Sequence, residues 1–201
     1  MLHQTRRSLQ RRMAALSVFA VALPLAAANQ DPNLPNFMKV DDHVFRGAQP
    51  TEQGILALAK LGIKTIVDLR EVDERWTAEE NIVKAAGMNY VNVPMRGMSS
   101  PTNEQIVKVL SLLTADSSGP VFVHCRRGAD RTGTVIACYR IGHDQWDNQK
   151  ALKEAKVMGM SMWERAMQHY VLDYKAASYN LASKPVPAAP AAAVAPGVAV
   201  P

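Results

Sequence analysis

Cysteine is almost missing from this chain of 201 residues: Cys125 and Cys138 are the only two. A disulfide-stapled fold therefore rests on that single pair, and helical geometry argues against it. If residues 131–138 are helical, seven residues rise ~10 Å, whereas a disulfide needs Cα atoms within about 7 Å. Two free thiols are expected, with Cys138 a small core residue. Aromatic residues are also scarce, at 6%, and no Lys/Arg-rich run with interleaved aromatics follows the N-terminal region, so nothing points to nucleic-acid binding. No apolar run is long enough for a comfortable membrane span, because the best one, Met13 to Leu25, is interrupted by Ser17 and Pro24. What remains, 48% hydrophobic and 20% charged, is the composition of one ordinary α/β-sized domain.

Residues 1–28 read as a secretory signal peptide. Arg6, Arg7, Arg11 and Arg12 form the positive start, Met13 to Leu25 the apolar stretch, and Ala26-Ala27-Ala28 a small-residue cleavage site. An uncleaved N-terminal anchor is the alternative, and Thr5-Arg6-Arg7-Ser8-Leu9 weakly resembles a twin-arginine export motif. Export, to the periplasm, is the expectation. These four arginines carry all the charge of the segment, so the 23 basic residues of the chain fall to 19 beyond it, against 18 acidic ones. The net charge of +5 is thus a property of the leader, and no stable membrane span is expected once it is removed.

The chemistry concentrates in His124-Cys125-Arg126-Arg127-Gly128-Ala129-Asp130-Arg131-Thr132-Gly133. Gly119-Pro120 turns the chain into Val121-Phe122-Val123, a buried-strand pattern, and Thr132 to Ile141 is apolar enough to continue as a helix. Backbone N–H groups of Arg126 to Arg131, together with the helix N-terminus, converge where an anion is favoured. Cys125 lies beneath that spot, and the same groups favour its thiolate over its thiol. Arg131 adds a planar fork for two phosphoryl oxygens. The plainer alternative is a buried Cys that only packs, beside an incidental Arg.

Around this loop, strands alternate with helices. Val44-Phe45-Arg46 is a strand, Gly47-Ala48-Gln49-Pro50 a turn, and Thr51 caps a helix with Ile55, Leu58 and Leu61 on one face, ended by Gly62. Lys64 to Arg70 and Asn89 to Pro94 are strands, with a helix from Asp73 to Ala86 between them. Thr102 and Gln105 form a capping box for a helix to Leu113. Asp147 or Asn148 caps a helix through Met158, and Ser161 one through Tyr179 whose face is Met162, Ala166, Met167, Tyr170 and Tyr174. The prediction is an α/β fold, a mostly parallel central sheet flanked by helices on both faces, with the loop at the carboxyl end of a central strand. Residues 29–40 read as an N-terminal arm, 41–183 as the domain, and 184–201, built only from Lys, Pro, Ala, Val and Gly, as a disordered tail.

The ten-residue loop resembles the Cys-x5-Arg signature of the protein tyrosine and dual-specificity phosphatase superfamily. Phe45-Arg46-Gly47-Ala48-Gln49-Pro50 and Ile66-Val67-Asp68-Leu69-Arg70 resemble the N-terminal half of the atypical dual-specificity phosphatases of bacteria, plants and fungi. A rhodanese-like sulfurtransferase loop also cradles an anion over a Cys but needs no Arg131 followed by Thr132-Gly133. The resemblance implies a two-step transfer. Cys125 attacks phosphorus, Arg131 and the amides of Arg126, Arg127, Gly128, Ala129, Asp130 and Arg131 hold the phosphoryl group, and a cysteinyl-phosphate is hydrolysed. It further implies that Thr132 hydrogen-bonds the Cys125 sulfur, that His124 orders the loop without touching substrate, and that neither metal nor other cofactor takes part.

One part of the pattern is missing. Related enzymes carry an Asp in the loop after the strand that here ends at Pro94, yet Met95-Arg96-Gly97-Met98-Ser99-Ser100-Pro101 has no carboxylate. The Asp130-Arg131-Thr132 ending resembles myotubularin lipid phosphatases and a group of bacterial phosphatases, which makes Asp130 a candidate acid. Its alternative is a carboxylate paired with a neighbouring Arg to stiffen the loop. Glu104, Asp73, Glu74 and Glu79 are further candidates, and an acidic leaving group would need none. Arg126 and Arg127 suit a multiply phosphorylated substrate, or else face solvent. The expected substrate is a phosphoprotein, with phosphoinositides or inositol (pyro)phosphates as the alternative. A module that binds phosphate without turnover is a third reading.

Overall fold

The computed structural model describes residues 31–72 and 74–176, with the side chains of 74–77 left aside. The signal-peptide reading of 1–28, the candidate Asp73, the side chain of Glu74 and the tail from 184 lie outside the described residues.

Five strands form one sheet in the order β1-β2-β5-β3-β4. They are β1 (Met38–Lys39), β2 (Val44–Ala48), β3 (Thr65–Asp68), β4 (Asn89–Asn92) and β5 (Val121–Cys125). Only β1 runs antiparallel, against β2; β2, β5, β3 and β4 are parallel. The period of two in β5 explains why it is central. Val121, Val123 and Cys125 face one core and Phe122 the other, and all are buried. Full burial of each of the Val and Phe side chains stabilises by about 1.5–3 kcal/mol.

Helices α1 (Glu52–Lys60) and α2 (Glu74–Ala85) belong with the Phe122 face, through Ile55, Leu58 and Val83. On the Cys125 face lie α3 (Asn103–Thr114), α4 (Asp130–Gly142), α5 (Asn148–Val157) and α6 (Arg165–Asp173). The expected caps are present: the Thr51 hydroxyl accepts from the Gly54 amide at 3.2 Å, and Thr102 and Gln105 complete a capping box. Both cysteines are free and buried, and burial pushes the Cys138 thiol up, as an inert core thiol requires. No described helix is long and apolar enough to cross a membrane.

Three local expectations need correction. Leu61 is a helix cap 57% exposed, not part of the buried face of α1. Helix α6 starts at Arg165 rather than after Ser161, which leaves Met162 and Trp163 exposed, at 73% and 70%. The reason is a turn: the Glu164 amide donates to the Ser161 carbonyl and the Trp163 amide to the Ser161 hydroxyl. Finally, residues 31–40, read as an arm, pack onto the fold, with Leu34 in the core and Pro35 accepting from the Ala48 amide at 2.8 Å.

Candidate active site

The parallel register brings three strand ends together, with Ala48 opposite Cys125 and Asp68 opposite His124. The chain then leaves β5 through 126–129 and enters α4 at Asp130, aiming the positive helix end into the loop. Gly128 makes the turn, with φ of +67°, a value that favours glycine. Its carbonyl accepts from the fully buried Arg46 guanidinium at 2.7 Å and from the Asn36 side chain at 3.1 Å. Asn36 also donates to the Met158 carbonyl at 3.2 Å, so one amide fastens the loop to the end of α5. Burial lowers the Arg46 pKa to about 10, with charges on Glu154 and Cys125 pulling it back; it remains a cation at neutral pH.

Cys125 is 2% exposed. Burial alone would raise its pKa, but the Thr132 hydroxyl and amide, the Arg131 charge and the Gly128 amide beside the sulfur outweigh that effect, and the pKa falls below the ordinary thiol value. The Thr132 hydroxyl is itself completely buried, and among the described residues it meets no partner, sulfur included, in ordinary hydrogen-bond geometry. Arg131 spans the carboxyl edge of the sheet, its guanidinium donating to the carbonyls of Met95 and Leu69 at 3.2 and 3.5 Å. The loop, the nucleophile and the arginine predicted from sequence thus form one cluster.

His124 lies on the opposite face, stacked on Phe122 at 5.6 Å between ring centroids. Its Nε2 is 2.8 Å from Glu79 and 4.0 Å from Asp68, and the Glu79 contact is an ion pair by distance rather than a well-aligned hydrogen bond. Arg70 donates to both acids, to Asp68 at 2.7 Å and to Glu79 at 2.6 Å, and the Tyr90 hydroxyl donates to Asp68 at 2.6 Å. Asp68, Glu79 and His124 place ligand atoms within 4.8 Å of one another. Arg70 and Tyr90 occupy both Asp68 oxygens and Glu79 Oε2, while Glu79 Oε1 faces His124, so the group is an ion network beneath the loop rather than an open set of metal ligands.

The network has a pH signature. Burial pulls the His124 pKa down, but Glu79 and Asp68 more than reverse this, and it ends above 6.5. A raised folded-state pKa gives stability that is complete below the unfolded value and lost as pH rises through the folded value. Glu79→Gln should therefore flatten the decline of stability above about pH 6.5. The depressed Cys125 pKa acts with the opposite sign in the same range. Melting curves from pH 6 to 9 are thus best compared in a Cys125→Ser background, where parallel declines would contradict the assignment.

The structure separates the candidate acids. Glu79 is held in the buried network, away from the anion-facing side of the loop. Glu104 is exposed, and hydrogen bonds from its own amide and from Thr102 hold its pKa below the usual range, the wrong direction for a proton donor. Asp130 accepts from the Ser161 amide at 2.8 Å and faces the Arg127 guanidinium at 3.6 Å, which is the stiffening arrangement. Arg127 also donates to the Gly159 carbonyl at 3.2 Å, whereas Arg126 is exposed and its side chain makes no such tie among the described residues. Sequence reading did not single out Asn36, Glu164 or the role of Arg46. Only Arg46 had a signal, as part of the Phe45-Arg46-Gly47-Ala48-Gln49-Pro50 stretch that carries the family resemblance.

Comparison with known proteins gives consistent findings. The family described as DSP-PTPase phosphatase fused to NAD+ kinase matches residues 23–172. The dual specificity protein phosphatase TpbA of Pseudomonas aeruginosa is 33% identical over 148 residues, 70% of this chain and 62% of that protein. The inositol diphosphatase SIW14 of Saccharomyces cerevisiae is 29% identical over 111 residues, 52% of this chain and 39% of that protein. Among solved structures, P. aeruginosa TpbA superposes with a TM-score of 0.62 at 26% identity, covering 74% of this chain and 94% of that one. A TpbA variant in complex with pTyr gives 0.62 at 25% identity, with the same coverage.

Proposed function

The chain belongs to the dual-specificity-type protein tyrosine phosphatase (DSP-PTPase) family, and from that premise we propose that it hydrolyses phosphate monoesters through a cysteinyl-phosphate, with phosphotyrosyl protein as the preferred substrate class. The observation that carries the reading is the placement of Cys125: a buried thiol at the end of β5, under the loop that turns at Gly128 into the amino end of α4, with Arg131 and Thr132 in the first turn of that helix, surroundings that also lower its pKa. Such a thiol is a nucleophile aimed at an anion site, and a packing cysteine would show the opposite shift, as Cys138 does. In the first step the sulfur–phosphorus bond forms and the phosphorus–oxygen bond breaks, while Arg131 and the amides hold the transferring oxygens. Water then displaces sulfur from phosphorus, and the thiolate leaves with a hydrogen bond from Thr132.

An aryl substrate is favoured by what borders the loop. Met98, Met162 and Trp163 are 65%, 73% and 70% exposed, on the two segments that meet beside Asp130 and Arg131. Such apolar surface suits an aromatic ring and its flanking peptide better than a polyanion. Arg127 is tied to Asp130 and Gly159, which weakens the case for an inositol polyphosphate. With residues 29–183, phosphotyrosyl peptides should turn over at least about tenfold faster than inositol pyrophosphates, roughly 1.4 kcal/mol of discrimination. Faster inositol pyrophosphate turnover would reverse the assignment. Export belongs to the same proposal on the pattern of residues 1–28, and it requires the shortened protein to be recovered outside the cytoplasm on cell fractionation.

A further inference from the structure

The segment that in related sequences supplies an acid has none here, but a carboxyl group from elsewhere in the chain reaches it. Asp130 accepts from the Ser161 amide, which draws the turn before α6 against the loop end. Glu164 closes that turn. It occupies the N-cap position of α6, yet its side chain makes no capping hydrogen bond, so the carboxyl is not used by its own helix. The residue is 7% exposed, and Oε2 is buried without a hydrogen-bond partner among the described residues. The Met98 amide, in the middle of the acid-free segment, and the charges on Asp130, Arg131 and Arg127 all act on this carboxyl group.

We propose that Glu164 is the proton donor to the leaving oxygen, an assignment that rests on the phosphatase reading above. A buried carboxyl oxygen with no donor nearby costs much more as an anion than as a neutral hydroxyl, whose proton is then left without an acceptor in the resting site. Burial, and then the charge on Asp130, push the Glu164 pKa up, against the Met98 amide and the charges on Arg131 and Arg127. The two carboxyl groups thereby take different tasks: Asp130 holds the turn to the loop, and Glu164 carries the proton. As the phosphorus–oxygen bond breaks, that proton moves from Glu164 to the leaving oxygen. In the second step the attacking water gives a proton to the Glu164 carboxylate as the sulfur–phosphorus bond breaks, and the electron pair returns to sulfur.

The test is Glu164→Gln in the full chain, assayed on aryl phosphates that span nitrophenol to phenol leaving groups. With the donor gone, kcat/KM for the phenol-like substrates should fall on the order of 10²-fold, and that for the most acidic leaving groups by only a few-fold. The basic limb of the pH profile should disappear. Equal losses across the series, or an unchanged basic limb, would overturn the assignment. Should the Gln variant not melt cooperatively, Glu164→Asp carries the test, since it keeps an acid in a displaced position: a shifted basic limb supports the role and an unmoved one removes it. A parent protein inactive even on nitrophenyl phosphate would instead overturn the phosphatase reading itself.

Discussion

Cys125→Ser should lower phosphate monoester hydrolysis on the order of 10⁴-fold or more while leaving anion binding in place. The loop amides, Arg131 and the amino end of α4 do not depend on sulfur, and a serine hydroxyl fits where the thiol was. What is lost is the low-pKa nucleophile, because the surroundings that lower a thiol pKa below its ordinary value cannot bring an alkoxide within reach of neutral pH. Initial rates and calorimetric titration with inorganic phosphate, run together, check both halves. Residual turnover within tenfold of the parent would mean that another group attacks phosphorus.

A second large effect is expected at a residue with no side chain. A Cβ on Gly128 would overlap the carbonyl carbon of Gly47 and the amide nitrogen of Ala48, at a φ of +67°. Neither atom is the movable end of a side chain. Relief would require turning the 128 peptide, which would break its bonds from Arg46 and Asn36 and move the amide that faces the Cys125 sulfur. Gly128→Ala should therefore destabilise the fold by about 3 kcal/mol, from left-handed strain together with overpacking. The surviving folded protein should lose activity on the order of 10²-fold or more. Chemical denaturation midpoints and rates test this, and a midpoint equal to that of the parent would contradict the packing described at the loop.

The reactive loop was legible because its chemistry is contiguous. A nucleophile, its amides, an arginine and a helix start occupy ten successive residues, and the apolar run before Cys125 can only be a buried strand. The sheet and its two-sided cover followed from strands and helices of ordinary length with recognisable caps. The supports were hidden because they come from distant positions. Asn36, Arg46, Asp68, Glu79 and Glu164 converge on residues 124–131 only through the register of β2, β5 and β3 and the docking of α2, α5 and α6. Ser161 to Glu164 shows how a local rule misleads. The spacing is that of a capping box, but the Ser161 amide is claimed by Asp130 and the helix begins later. The same tertiary contact turns Asp130 from a candidate acid into a brace and draws Glu164 inward.

The most direct test of the account is to catch the phosphoryl group on the enzyme. Rapid acid quench during turnover of an aryl phosphate, followed by peptide mass spectrometry, should place one phosphate on Cys125, and Cys125→Ser should carry none. Turnover with no label on Cys125, or with the label on another side chain, would contradict the nucleophile on which the whole reading is built.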